Sequence, residues 1–361
     1  MTRFLKGSNE PLSTTYRLGL LDLDGVVYRG KNPVEYAADS IRQAEQSGMA
    51  MEYTTNNSSR FQAVVAEQLR GFGLDVEPWQ VITSSVVAAR MVAHHVPAGA
   101  KVLAAGAPHL REEVSKAGLT LVDRVEDEPV AVIQGWYPEI TWNELAAVAF
   151  AAQRGAGYFV TNRDLTIPRE LGIAPGCGSL VNAVIEAVGH QPVASAGKPE
   201  SAMYDEARQL VADAQAESSN NGKADPIAKE RCLAIGDRLD TDIEAGNRGD
   251  YDSLVVLTGV ASANSLIAAA PILRPTYIAK DLRGLNESHR APERQSDGSW
   301  VCGNAKVRVA GDDLTVEALS DTTKALVLED LDALRAACCA VWEAMDSGVD
   351  PATLNIPQFQ I

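Results

Sequence analysis

Short apolar blocks alternate along this chain with longer stretches of helical periodicity, the pattern of strands and helices laid down in turn. The first block, residues 17–21, reads as a buried strand that stops at Asp22-Leu23-Asp24-Gly25. Residues 33–48 carry Ala37, Ile41 and Ala44 at helical spacing and close on a glycine. Residues 49–54 then read as a second strand, giving βαβ. Thr55-Asn56-Asn57-Ser58-Ser59 follows, a cluster suited to capping a helix over 60–71. Residues 81–95 read as one more helix, with His94 and His95 as favourable charges near its end.

From about residue 101 the pattern restarts as a separate α/β unit. It predicts strands over 101–105, 131–136 and 158–160, helices over 108–117 and 142–154, and an acidic loop over 123–129. Thr161-Asn162-Arg163-Asp164 leads into a Pro- and Gly-rich passage, 168–178, and a helix over 180–188. The next core strand, 193–196, ends in Gly197-Lys198-Pro199, with the proline opening a helix over 201–214. Residues 217–228 read as a flexible surface loop. A buried strand over 232–235 closes with Gly236-Asp237-Arg238-Leu239-Asp240-Thr241-Asp242, whose acids open a helix, and 254–257 is one more strand. Residues 1–15 read as a loose polar leader. The last stretch differs in character: a linker over 289–298, a hairpin pairing 306–310 with 314–318, and a helix with Leu328, Leu331, Leu334, Cys338, Val341 and Met345 on one face.

This order predicts an α/β protein with a doubly wound, mostly parallel core, an inserted α/β cap domain and a small C-terminal α+β extension. The expected boundaries are 1–87 and 193–288 for the core, 88–192 for the cap and 289–361 for the extension.

Composition narrows the function. Of 361 residues, 46% are hydrophobic and 22% charged, ordinary usage for a globular chain, which excludes disorder throughout. A formal net charge of -16 opposes binding to nucleic acid, and no basic block reverses it locally. An acidic protein that handles anionic substrates must make positive potential locally, from a metal, a lysine or backbone N–H groups. The five cysteines form no Cys-x-x-Cys pair and suit reduced, intracellular use. Without a leader pattern or an apolar run of spanning length, the expectation is a cytoplasmic protein with no membrane partner.

The chemistry-bearing residues fall at the carboxyl ends of separate predicted strands: two carboxylates, a hydroxyl with two amides, a lysine, then more carboxylates. In one parallel sheet those ends would converge on one edge, where open α/β sheets place ligands. Each alone has an ordinary reading as turn, cap or surface residue. Together, Asp22-Leu23-Asp24-Gly25-Val26-Val27, Thr55-Asn56-Asn57, Gly197-Lys198-Pro199 and Gly236-Asp237 with Thr241-Asp242 resemble the haloacid dehalogenase-like phosphatases, over about residues 17–258. The spacing is most similar to the branch with an inserted α/β cap, which includes phosphoglycolate, glycerol 3-phosphate, pyridoxal phosphate and p-nitrophenyl phosphate phosphatases. Thr161-Asn162-Arg163-Asp164 and Pro175-Gly176-Cys177-Gly178-Ser179-Leu180 also resemble that branch's return from cap to core.

The resemblance implies Mg2+-dependent hydrolysis of small phosphomonoesters through an aspartyl phosphate. Asp22 would be the nucleophile and Asp24 the general acid and base. Asp22 and Asp237 would give carboxylates to the metal and Asp24 its backbone carbonyl, with Asp242 in the nearby shell, an oxygen-only set suited to Mg2+. Thr55 and Lys198 would hold the phosphoryl oxygens, with Asn56 and Asn57 beside them. Asn162, Asp164 and the Gly178-Ser179-Leu180 turn would lie near the organic part of the substrate, although Asp164 reads almost equally well as a structural turn acid. Asp240 is expected to face solvent. Glycerol 3-phosphate is the favoured substrate and phosphoglycolate the second, with pyridoxal phosphate or nucleotides as alternatives. A further alternative is a catalytically idle regulatory binding protein on the same fold, which would be expected to lack Asp22 or Lys198. A second ligand-binding activity in the extension is a weaker rival to plain packing against the core or a subunit. The cap helices could form a homodimer surface, which no sequence pattern requires.

Overall fold

A computed structural model of the protein describes residues 4–169, 171–219, 224–319 and 328–361. By packing the chain forms two units, residues 1–52 with 226–361 and residues 53–225. The strand Ala50–Thr55 runs from the first into the second.

The first unit holds parallel strands in the order Tyr277–Ala279, Asp252–Val256, Cys232–Gly236 and Leu18–Asp22. The strand Leu18–Asp22 is apolar and buried along its first four residues, as a strand covered on both faces should be. Its register, Leu21 opposite Ile235, brings the end of one strand level with the end of the other and so sets Asp22 beside Gly236-Asp237. The helix Ala37–Gln46 buries Ala37, Ile41 and Ala44, the predicted stripe, and Gly48 beyond its end takes a φ of 94°.

The extension is part of this unit's core. Four antiparallel strands, Glu293–Arg294, Trp300–Cys302, Ala305–Ala310 and Asp313–Ala318, form a second sheet. The helix Leu331–Asp346 buries Leu334, Cys338, Val341 and Trp342 in one cluster with Val255, Leu266, Ile267 and Ile278. Arg274, wholly buried, is held by two bonds to the Asp346 carboxylate, 2.8 and 2.9 Å, and by the Ala269 carbonyl. The Trp342 indole N–H donates to Leu266 O at 2.9 Å. Trp342→Ala should therefore destabilise the first unit by about 3–5 kcal/mol, the usual range for emptying a buried aromatic site. Urea unfolding checks this, and an unchanged midpoint would make the extension an appendage.

The second unit contains a five-stranded parallel sheet in the order Ala194–Ser195, Gly157–Val160, Ala131–Gln134, Lys101–Ala105, Thr120–Val122. Helices Pro108–Lys116, Trp142–Gln153 and Cys177–Val188 belong to it. Thr141 and Glu144 close a reciprocal capping box at the start of the second of these.

Several expectations change. Residues 4–15 are no loose leader: Leu12–Thr15 is a helical turn with Leu12 buried, Ser8 bridges His289, and Lys6 pairs with Asp252 at 2.8 Å. Residues 289–298 are no linker either, since His289 is buried and Glu293–Arg294 is a strand. The segment 81–95 divides into the strand Val81–Thr83 and the helix Ser84–His95, because Thr83 turns extended and its hydroxyl accepts from Val86 N. The passage 168–178 overlaps the antiparallel pair Thr166–Arg169 and Gly172–Pro175. The helix predicted over 201–214 spans Ala202–Ser219, starting as expected and running five residues further; of the predicted loop over 217–228, residues 220–223 lie outside the described residues. The strand before Lys198 pairs with Gly157–Val160, in the second unit's sheet, so it is not a core strand.

Candidate active site

Strand alternation starts the site. Leu21 and Leu23 are wholly buried, whereas Asp22 is half-buried and Asp24 exposed, so the two acids share the opposite side. After Leu23 the chain turns sharply: Val26, Val27 and Tyr28 all direct their N–H groups at Leu23 O, and Gly25 N donates to Tyr28 O at 2.8 Å. Gly25 sits at φ 83°, and a Cβ there would collide with the Asp237 carboxylate, so glycine is required twice over. The Thr258 hydroxyl donates to Gly25 O at 2.7 Å, and the Arg29 guanidinium donates back to Thr258 O.

Asp237 follows the neighbouring strand and is 2% exposed. Its Oδ2 accepts from Val260 N at 2.7 Å, and its carbonyl accepts from Ala261 N. The chain then winds through the wide turn Leu239–Ile243 and returns Asp242, 1% exposed, whose Oδ2 accepts from Arg238 N at 3.1 Å. Asp242 fits only because Gly236 carries no side chain there. Carboxylate oxygens of Asp22, Asp237 and Asp242 lie within 4.8 Å of one another. Three acids so close repel unless a cation joins them, and an all-oxygen set fits a hard divalent ion. Asp240 points away: it is exposed and pairs with Arg238 at 2.8 Å.

Within the second unit, Thr55 ends its strand and is buried, with Oγ1 accepting from Asn57 N at 3.2 Å. The expected cap of the next helix is not formed by this cluster. Its N-cap is Phe61, and Asn57 Oδ1 instead accepts from Ser59 N and Ser59 Oγ, both at 2.9 Å, in a local turn. Asn56 is bonded on every side. Its Nδ2 donates to Lys198 O at 2.9 Å and to the Asp164 carboxylate at 3.0 Å, while its Oδ1 accepts from Lys198 N at 2.8 Å. Its backbone carbonyl accepts from Ser84 Oγ at 2.6 Å and Asn162 Nδ2 at 2.8 Å. Lys198 is 2% exposed, against the usual surface fate of lysine, and its Nζ reaches Thr54 O at 3.5 Å.

Asn162 and Asp164 thus meet Asn56, and Asn162 Oδ1 also accepts from Asp164 N at 3.2 Å. Ser179 is drawn elsewhere, donating to Leu165 O at 2.6 Å. Sequence reading missed Ser84 and Ser85, which hold Asn56 O and Ser58 O. The break from strand to helix at Thr83 was the signal, hidden because Val-Ile-Thr is short and joins an apolar helix.

No cysteine offers a rival nucleophile. All five are free and buried, and burial pushes the Cys177 thiol up to about 12. Buried His109 is held neutral, its pKa lowered by burial to about 4, and bonds Thr83 Oγ1 at 2.8 Å.

The family model described as haloacid dehalogenase-like hydrolase matches residues 19–120, and a second, HAD-hydrolase-like, matches 195–285. The D-glycerol 3-phosphate phosphatase of Mycobacterium tuberculosis is 37% identical over 93% of this chain and 89% of its own. This chain belongs to the haloacid dehalogenase-like hydrolases. A crystal structure of the M. tuberculosis glycerol phosphate phosphatase in complex with magnesium superposes with a TM-score of 0.77, at 36% identity over 92% of each chain. The p-nitrophenyl phosphatase of Archaeoglobus fulgidus superposes at 0.66 and 27% identity, covering 98% of itself but 75% of this chain. Likeness to the glycerol phosphate enzyme therefore reaches into parts of the chain that the smaller phosphatase lacks.

Proposed function

We propose that this protein is a Mg2+-dependent phosphatase that hydrolyses glycerol 3-phosphate through an aspartyl phosphate on Asp22. The observation that carries the chemistry is the meeting of Asp22, Asp237 and Asp242 at the end of the Asp-x-Asp-Gly strand. The substrate rests on the glycerol 3-phosphate phosphatase that matches 93% of the chain.

Asp22, Asp237, Asp242 and the Asp24 carbonyl would hold Mg2+, which when bound offsets the repulsion between a carboxylate and a phosphoryl dianion. An Asp22 oxygen attacks phosphorus, the ester P–O bond breaks, and Asp24 gives its proton to the leaving glycerol oxygen. Asp24 then takes a proton from water as that water attacks the same phosphorus. The bond from phosphorus to Asp22 breaks, and inorganic phosphate and free Asp22 remain. Exposure of Asp24 suits it to meet first a leaving group and then a water. Thr55 and Lys198 hold the phosphoryl oxygens, Lys198 as a point charge. Residues 88–192 act as the cap, with Asn162 in it and Asn57 before it as candidate substrate contacts; Ser179, bonded to Leu165 O, drops out of the expected set.

Among the described residues, no helix is long and apolar enough to cross a membrane. Five buried cysteines without a disulfide support a cytoplasmic location, and a net charge of -16 opposes nucleic acid as a partner; no membrane partner is proposed, and a homodimer through the cap is the remaining option.

Phosphate release from a panel of phosphomonoesters, with and without EDTA, tests the substrate. Glycerol 3-phosphate should lead in kcat/KM and every activity should stop in EDTA. A lead for phosphoglycolate, pyridoxal phosphate or a nucleotide would overturn the substrate assignment, and silence on all of them would favour the idle binding protein.

A further inference from the structure

We infer that Asn56 is a positioning residue for Lys198, locked in its working orientation by Asp164; this rests on the role proposed for Lys198 in holding the phosphoryl group. A primary amide carries two N–H donors and one carbonyl oxygen. In Asn56 both donors are taken, one by Lys198 O and one by the Asp164 carboxylate, and the oxygen accepts from Lys198 N. The amide therefore grips Lys198 at its N–H and its carbonyl at once, as a neighbouring strand would. Little capacity is left for substrate, which moves Asn56 from the contacts expected of it to the support of one.

This grip replaces what the sheet does not supply. The strand before Lys198 is only Ala194–Ser195, and it ends three residues short of the lysine. Its neighbour continues from Val160 into Thr161-Asn162, and Asn162 binds Asn56 O. Gly197 lies against the same amide, and a Cβ there would meet Asn56 Oδ1 and Asn162 Cβ. Two separate segments, 162–164 and 197–198, thus close on Asn56, and the lysine it grips is 2% exposed.

Asp164 and the Lys198 backbone agree on which way the amide faces. Turned over, Asn56 would set its oxygen against both the Asp164 carboxylate and Lys198 O. Asp164 at its observed place forbids that, which gives a function to an acid that also reads as a turn residue.

The test uses full-length protein with Asn56→Asp, Asp164→Asn, the two combined, and Lys198→Met. Asn56→Asp keeps the shape but puts an oxygen where the donors were, facing two acceptors. It should cut kcat/KM on glycerol 3-phosphate about 10- to 100-fold. It should also raise the inhibition constant of inorganic phosphate by a similar factor, while half-saturation by Mg2+ stays unchanged, because Asn56 is not one of the three acids that would hold the metal. Adding Asp164→Asn restores a donor opposite the introduced carboxylate and should recover part of the loss. Asn56→Ser, which removes the grip without adding charge, serves if Asn56→Asp does not fold and should show the same weakened phosphate binding. Wild-type kinetics in Asn56→Asp, alongside a damaged Lys198→Met, would overturn the inference. So would a loss that Asp164→Asn does not relieve. Wild-type kinetics in Lys198→Met would instead overturn the role of Lys198 itself.

Discussion

Asp22→Asn is expected to lower turnover of glycerol 3-phosphate about ten-thousand-fold or more, the scale on which enzymes lose rate when a covalent nucleophile is removed. The replacement is close in size, and the strand that carries it is fixed by buried Leu18, Leu20, Leu21 and Leu23 and by four register pairs with Cys232–Gly236, so the fold should hold. What disappears is the anionic oxygen that attacks phosphorus, together with one of three charges facing a cation. Steady-state phosphate release measures the first loss, and Mg2+ titration separates the second. Saturating Mg2+ should not restore the variant. If it did, Asp22 would be a metal ligand only, and the aspartyl phosphate would lie elsewhere.

Lys198→Met should cost about 100- to 1000-fold in kcat/KM, the usual loss when a fixed positive group aimed at developing charge is removed. Its stability should move the opposite way or not at all. Lys198 is 2% exposed, so an apolar side chain of similar length removes the cost of burying an ammonium in exchange for its polar contacts, Thr54 O among them. Activity lost with the melting temperature kept or raised is the mark of a charge held for function. A structural lysine would show the reverse, a lowered melting temperature with near-normal kinetics on the folded fraction.

Much of this site was legible in the sequence because its chemistry is bound to strand ends. Asp22, Asp24 and Asp237 could be placed at strand ends because apolar runs stop abruptly in acids and glycines, and the register Leu21 to Ile235 then does the rest. Lys198 was legible as a residue but not as a position. Order along the chain puts its strand in the core, yet Ala194–Ser195 pairs with Gly157–Val160, and two residues carry too little pattern to reveal a partner. The Asn56 grip was hidden for the same reason: hydrogen bonds between residues about a hundred positions apart leave no periodicity. Two polar segments mislead through their composition. Residues 4–15 and 289–298 look like tethers, but their backbones pair with each other, Ser8 with His289, a kind of stabilisation that composition does not report.

The extension teaches the converse. The helix stripe expected from Leu328 to Met345 begins at Leu331, because Asp330 caps the helix and leaves Leu328 before it, and the structure shows what the stripe covers: Trp342, Leu334 and Val341 complete a cluster with Leu266, Ile267 and Ile278. Arg274 and Asp346, oppositely charged and far apart in sequence, close its edge.

The most direct test is to mix the wild-type protein and Mg2+ with glycerol 3-phosphate labelled in its phosphoryl group, quench in acid within the first turnover, and locate the label by peptide mass. Phosphate is expected on the peptide carrying Asp22, and its loss when hydroxylamine cleaves the acyl phosphate. Label on another residue, or rapid turnover with no labelled protein at any time in the first turnover, would contradict it.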